Sequence, residues 1–184
     1  MGLNNKSILL KNLWGGGGFL GAEIYSKDLE EKLQIINVYD PCHNREQFWK
    51  RLLGSPLLQA ENLILGGDLN FSIGFSESWG HLAQIDPLSD FFGQLLEDHH
   101  WIDLPTAKTQ YTWKNNRTGD QSLARRLDRF VMKEGLCTHH PRSRQWVGSG
   151  GISDHRPIYL EMEARQQAQK APFKFNATWL KDPD

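Results

Sequence analysis

The sequence predicts a layered α/β domain, and three observations carry that reading. Apolar residues recur first at strand spacing and then at helix spacing, so strand and helix alternate early in the chain. From Trp101 onward the strand-like pieces shorten and are separated by Gly-, Asn- and Ser-rich connections, which excludes a helical bundle. The 184 residues, 39% hydrophobic and 11% aromatic, can bury one core of ordinary size, so a single domain is expected.

Taken in order, Gly15, Gly16, Gly17 and Gly18 are expected to break the opening segment. Residues 19–25 and 32–39 read as two strands joined by a charged turn over 26–31, most simply a hairpin. Residues 44–53 place Phe48, Trp49, Leu52 and Leu53 on one side of a helix, with Asn44 as its N-cap. The apolar run 62–65 is expected to stop at Gly66-Gly67, and residues 89–97 repeat the helical spacing with Phe91, Phe92, Leu95 and Leu96. Short strands are expected at 110–113, 127–131 and 157–161. The domain is drawn as residues 1–162. The remainder, 163–184, reads as a polar linker leading to a tail with Phe173, Phe175 and Trp179 that seeks a partner.

Charge narrows the function classes. Twenty-one Lys and Arg against 22 Asp and Glu leave a formal charge of −1, so any contact with a polyanion must be local. Cys42 and Cys137 lack the spacing of a zinc site or a disulfide framework, which points to an intracellular location, nuclear or cytoplasmic. The apolar stretches are short and interrupted, so neither a membrane span nor a signal peptide is expected. The sequons at Asn70, Asn116 and Asn176 carry no weight in such a chain.

Three segments hold side chains suited to phosphoryl chemistry. In Leu63-Ile64-Leu65-Gly66-Gly67-Asp68-Leu69-Asn70, an apolar strand delivers a carboxylate and a carboxamide at i and i+2, which continued extension would put on one face. The double glycine would let the backbone approach whatever these groups hold. Such a pair can orient an attacking water and donate to a phosphate oxygen. In Ser153-Asp154-His155-Arg156-Pro157-Ile158, Pro157 biases Arg156 toward extension and sets Asp154 and His155 at a strand entrance. An imidazole there can stabilise charge on phosphorus if a carboxylate supports it. In Arg126-Leu127-Asp128-Arg129-Phe130-Val131, Asp128 interrupts an alternating strand and is a candidate partner for that imidazole. Singly, each segment has a plainer reading: a polar turn, a capping Asp beside a surface His, and a solvent-facing Asp paired with Arg126 or Arg129. Tyr39 can likewise be a strand aromatic and Trp113 a core residue.

The combination is what carries specificity. Asn37-Val38-Tyr39, Gly66-Gly67-Asp68-Leu69-Asn70, Tyr111-Thr112-Trp113, Arg126-Leu127-Asp128-Arg129-Phe130 and Ser153-Asp154-His155-Arg156-Pro157-Ile158, in this order, resemble the endonuclease/exonuclease/phosphatase superfamily. The Thr-Trp and Arg-Leu-Asp-Arg-Phe versions look most like plant LINE-type (non-LTR) retrotransposon endonucleases, over about residues 17–160. The tail 172–180 resembles the segment leading toward the reverse transcriptase of such elements.

The resemblance implies a two-sheet α/β sandwich with outer helices, the four-layer fold of apurinic endonucleases and deoxyribonucleases. It implies Asp68 as the residue that positions or deprotonates the attacking water, and Asn70 and Tyr39 as contacts to the scissile phosphate. It makes His155 the imidazole beside that phosphate, Asp128 the carboxylate that orients it, and Asp154 a metal-binding residue. Trp113 would lie near the DNA groove, with a core role as the alternative. The implied cofactor is Mg²⁺, replaceable by Mn²⁺; the implied partners are DNA as substrate and a downstream reverse transcriptase. One departure stands out: the family's opening Asn strand and its metal-binding Glu strand are not visible, and residues 1–14 contain no acidic residue. The expectation is therefore an N-terminally truncated domain, lacking strands of one sheet, with weakened or lost activity. A silent remnant that binds nucleic acid through Arg117, Arg125, Arg126, Arg142 and Arg144, and a phosphatase of small esters, are the competing expectations.

Overall fold

The computed structural model describes residues 7–41 and 43–163, and the chain opens there as a meander of β1 (Ile8–Gly16), β2 (Phe19–Ser26) and β3 (Glu31–Tyr39). The hairpin expected over 19–39 is present, since β2 and β3 pair antiparallel from Phe19↔Val38 to Ser26↔Glu31. The first glycines do not break the opening segment. Strand β1 runs through Gly15 and Gly16, pairs Gly16 with Phe19, and the chain turns only at Gly17-Gly18. Glycine tolerates extension, and ladder hydrogen bonds offset the entropy it loses there.

A crossover through α1 (Arg45–Leu53) brings β4 (Leu63–Asp68) parallel to β3. Asn44 precedes α1 as expected but makes no cap with its side chain. It lies in the left-handed region at φ 57, whereas a capping side chain needs extended backbone to reach the first turn. Strand β4 does not stop at the double glycine but continues to Asp68. The reason is packing: a Cβ on Gly66 would come within 2.3 Å of the Phe130 ring, so Gly66 is where that ring crosses the strand. Gly67, at φ +123, has Val38 O only 2.3 Å from where its Cβ would stand. The glycines thus serve contacts within the sheet rather than the approach of a ligand.

The remaining elements are β5 (Ser78–Trp79), α2 (Ser89–Asp98), β6 (Trp101–Asp103), β7 (Trp113–Lys114), β8 (Ala124–Arg125), β9 (Asp128–Lys133), α3 (Glu134–His139), β10 (Arg144–Val147) and β11 (Ile158–Glu161). The strand expected at 110–113 shrinks to β7. The principal sheet has the order β1-β2-β3-β4-β9-β6, and two smaller ladders, β10-β11 and β5-β8-β7, complete the strands.

Alternation on the sheet separates two cores. Ile36, Val38, Leu63, Leu65 and Val131 face α1 and α2, where Phe48, Trp49, Leu52, Phe92 and Leu95 cover them. Phe71 and Phe92 stack in that core with centroids 3.8 Å apart. Ala22, Ile24, Leu33, Ile64 and Met132 face the other way, with Leu136 of α3 and with Leu160 packing against them from β11. Gln145 ties the second layer to the first, since it accepts from Phe130 N at 2.9 Å and donates to Leu104 O. The layered α/β class holds. No helix among the described residues is long and apolar enough to cross a membrane. Cys42 and residues 164–184, hence nearly all of the expected linker and tail, lie outside the described residues.

Two arginines of the Arg-Leu-Asp-Arg-Phe segment turn inward. Arg126 meets Glu77 and Asp103 at 2.7 Å each, and Arg129, fully buried, meets Glu77 at 3.0 Å and Asp103 at 2.9 Å. Arg129 also donates to Phe71 O and Arg126 O, both at 2.8 Å. Arg126 is therefore no part of a basic surface, and its network clamps the start of β9 to the 71–77 segment. Arg142 and Arg144 are paired as well, with Glu163 and Glu161.

Candidate active site

The strand register assembles the site. Tyr39 lies opposite Asp68 in the parallel β3-β4 ladder, and Asp68 lies opposite Asp128 in the antiparallel β4-β9 ladder. Partners in register share a face, and two-residue spacing puts Asp68 on the face of Ile64 and Asp128 on that of Phe130 and Met132. Both carboxylates thus stand at the end of the face that packs toward β11.

His155 reaches them from the loop before β11. A bridge to Trp113 fixes its backbone, its amide donates to Ser153 Oγ at 3.1 Å, and the Arg156 amide donates to Thr112 O at 2.7 Å. Its Nδ1 lies 2.9 Å from Asp128 Oδ2 and its Nε2 lies 3.8 Å from Asp68 Oδ2. An ionised carboxylate can only accept, so Nδ1–H is the donor to Asp128 and the ring is held in a defined orientation. That hydrogen bond raises the His155 pKa above the usual imidazole value, against the opposing effect of burial. Asp68 is pushed up to about 6, first by burial and then by the neighbouring Asp128 charge, with His155 pulling the other way.

Asn70 is brought to the site differently from expectation. Strand β4 ends at Asp68, whose Oδ1 accepts from the Asn70 amide at 3.1 Å, and Asn70 takes φ 50. An Asp side chain that bonds the amide two residues on replaces extension with a turn, so Asp68 and Asn70 are not side by side on a strand. The Asn70 carboxamide donates to Asp40 O at 3.3 Å, and Arg45, paired with Asp86 at 2.7 Å, donates to Asn70 O. Beneath this turn Asp40 is wholly buried, with one oxygen accepting from Trp49 Nε1 at 2.9 Å and the other without a hydrogen-bond partner among the described residues. Burial pushes its pKa up to about 7. Tyr39 is 65% exposed, so its hydroxyl is open to a ligand at the mouth of the site.

Trp113 is half-buried, and its indole Nε1 donates to Asp154 Oδ2 at 2.9 Å. That bond is the first cause holding the exposed Asp154 carboxyl below its usual range. Sequence reasoning missed Thr112. It is fully buried, and its hydroxyl accepts from the amides of Leu127 and Asp128, both at 2.9 Å, pinning the start of β9. A Thr between two aromatics has no signal of its own that distinguishes this role from an ordinary strand residue.

Among the described residues, Asp68, Asp128 and His155 form the group able to share one cation, their ligand atoms lying within 4.8 Å of one another. Asp154 stands outside it. One Asp128 oxygen is engaged by His155, which leaves the other and Asp68 as hard oxygen donors. Donors of this kind suit a hard divalent cation completed by water and phosphate oxygens. Beside the site, a cleft of about 490 Å³ is lined by Trp79, Tyr111, Lys114, Arg117 and Arg156 and by no acidic residue. A second groove shares Tyr111, Lys114 and Arg156 with it and reaches Asp154, so a cationic path leads away from the carboxylates.

No protein-family model matches the chain, and no curated protein matches it significantly. Solved structures do. The endonuclease domain of TRAS1, a telomere-specific non-LTR retrotransposon, matches with TM-score 0.62 and 17% identity, over 82% of this chain and 64% of that one. D. rerio TDP2 complexed with a single-strand DNA product matches with TM-score 0.53 and 16% identity, over 86% and 69%. The inositol polyphosphate 5-phosphatase domain of SPsynaptojanin, in complex with inositol (1,4)-bisphosphate and calcium ion, matches with TM-score 0.52 and 18% identity, over 87% and 56%. These similar structures belong to the endonuclease/exonuclease/phosphatase superfamily, and this chain shares their fold. It spans about two-thirds or less of the TRAS1 and phosphatase domains.

Proposed function

We propose that the chain is a phosphodiesterase of the endonuclease/exonuclease/phosphatase type acting on DNA, as the nicking domain of a non-LTR retrotransposon. The observation that carries this reading is the row formed by Asp68, Asp128 and His155, in which one carboxylate orients the imidazole and the other, held by the Asn70 amide through Oδ1, turns Oδ2 toward the ring. In this reading Asp68 takes the proton of a water attacking phosphorus. His155, kept protonated by Asp128, stabilises the charge that develops on the phosphate oxygens. Asn70 and the exposed Tyr39 hydroxyl hold the scissile phosphate from the opposite side. Asp154 is the residue taken to hold a divalent cation of the Mg²⁺ or Mn²⁺ kind beside Asp68 and Asp128. Such a cation supplies neutralisation of the phosphate and of the leaving oxygen.

The same arrangement serves a small phosphate ester, and fold likeness alone does not choose between substrates. The cationic, aromatic-lined path through Tyr111, Lys114 and Arg156 favours a ligand longer than one phosphate. The test is to offer the purified chain, in Mg²⁺ or Mn²⁺, end-labelled oligonucleotides in parallel with inositol phosphates. Cleaved oligonucleotide without released inorganic phosphate is expected. Phosphate release from the inositol esters alone would move the assignment to a phosphatase. Salt-sensitive DNA binding without cleavage would make the chain a binding remnant.

A further inference from the structure

We propose that Thr112 is a positioning residue for the Asp128–His155 pair, holding the two at bonding distance through its hydroxyl on one side and its backbone carbonyl on the other; its effect on turnover rests on the hydrolase reading above. Asp128 and His155 come from segments 27 residues apart in the chain and meet at 2.9 Å. Strand β6 accompanies β9 only from Val131 to Lys133, so it does not reach the amides of Leu127 and Asp128. The Thr112 hydroxyl takes both, each at 2.9 Å. On its other side the Thr112 carbonyl accepts from the amide of Arg156 at 2.7 Å, next to His155 in the chain. Thr112 is thus bonded to Asp128 itself and to the neighbour of His155. Other ties lie further from the pair. Thr112 N meets Arg125 O at 2.9 Å, Trp113 bridges to His155 but pairs with Arg125 rather than with β9, and Gln145 takes the amide of Phe130.

The side chain suits the task. A hydroxyl oxygen has two lone pairs, so one Oγ1 can accept from two amides, and the branch at Cβ restricts χ1, so the oxygen stays where the amides need it. Thr112 is fully buried, which shields both bonds from solvent. A valine has the same shape and no acceptor. It would leave the two amides without a partner, and β9 would start from a different place relative to residues 155 and 156. The Asp128–His155 bond tolerates little of that, since a misplacement of about 1 Å can cost ~10²-fold in rate. A packing role makes the opposite demand, since it needs the volume and is indifferent to the oxygen.

The experiment compares wild type, Thr112→Val, Thr112→Ser, Asp128→Ala and the Thr112→Val/Asp128→Ala double variant, each first shown to be folded by thermal unfolding. The ring-nitrogen resonances of His155, read at one pH through its carbon-bound protons, report its bond to Asp128 and require no turnover. Oligonucleotide cleavage in Mn²⁺ gives kcat and KM. Thr112→Val is expected to move the His155 Nδ1 resonance toward its position in Asp128→Ala, and to lower kcat ~10²-fold with KM unchanged. Thr112→Ser keeps the oxygen and is expected to restore both. The double variant is expected to be no slower than Asp128→Ala alone, since the two residues act through one bond. If Thr112→Val does not fold, Thr112→Cys, whose sulfur is a weak acceptor, takes its place with the same direction of change expected. A wild-type Nδ1 resonance in Thr112→Val, a Thr112→Ser variant as impaired as Thr112→Val, or additive losses in the double variant would each overturn the proposal. Absence of cleavage by wild type would overturn the hydrolase reading instead, and the resonance alone would then decide the positioning role.

Discussion

Asp68 and His155 must hold opposite protonation states to work together, and their surroundings set a window for that. Asp68 has to lose its proton, so turnover should rise with pH through about 6. His155 has to keep its proton, so turnover should fall as pH passes its raised pKa, giving a bell-shaped profile. Asp128→Asn removes the main cause of that rise. It should move the alkaline limb to lower pH and cut turnover by ~10²-fold or more, the scale of a lost acid–base contribution; an unmoved limb would count against Asp128 as the orienting group. Asp40 makes a prediction about stability instead. Its folded pKa of about 7 lies above the ordinary 3.8, so the folded state binds the extra proton. Stability from this group is complete below about pH 4 and is lost as pH rises through about 7. Asp40→Asn should therefore match wild type in thermal unfolding near pH 4 and exceed it near pH 8, by up to about 4 kcal/mol. The residues that the fold brings together, Asp68, Asp128 and His155, were legible at this scale because they sit in motifs whose order is informative. The turn at Asn70 was not, because whether an Asp side chain captures its neighbour's amide depends on the support that Asp40 and Arg45 supply from elsewhere.

At the scale of elements, the site depends on β4 and β9 lying close and in fixed register. Gly66 admits the Phe130 ring, and Gly66→Ala should destabilise the fold by about 1–3 kcal/mol through overpacking. Arg129 holds β9 to the 71–77 segment from a wholly buried position. Arg129→Met leaves Glu77 and Asp103 with one cation fewer and should cost about 3–5 kcal/mol in denaturant unfolding. A loss below about 1 kcal/mol would show the network to be dispensable. Strands β2, β3, β4 and β9 and both longer helices were readable from their periods. Strands β5, β7 and β8 are two residues each, too short to show alternation, and they exist because the ladder and the bridge to His155 supply their partners. Strand β1 was hidden by glycines that the ladder tolerates.

For the whole molecule, one sheet separates a core beneath α1 and α2 from a second core facing β11, and the site lies where the ends of β3, β4 and β9 meet the loop before β11. Ligand sites of open α/β sheets commonly lie beyond such strand ends. The layered class could be read from the alternation of spacings, but the sheet order could not. Pairing β4 with β9 joins segments about sixty residues or more apart, from Asp68↔Asp128 to Ile64↔Met132, and only the assembled core decides it. The central claim is that this junction hydrolyses a phosphodiester. It is tested most directly by incubating supercoiled plasmid with the purified chain and Mg²⁺ or Mn²⁺, beside Asp68→Ala and His155→Ala. The account predicts metal-dependent conversion to the nicked circle by wild type and a loss of at least ~10²-fold in each variant. Intact plasmid with the folded wild-type chain, or nicking that survives either substitution, would contradict it.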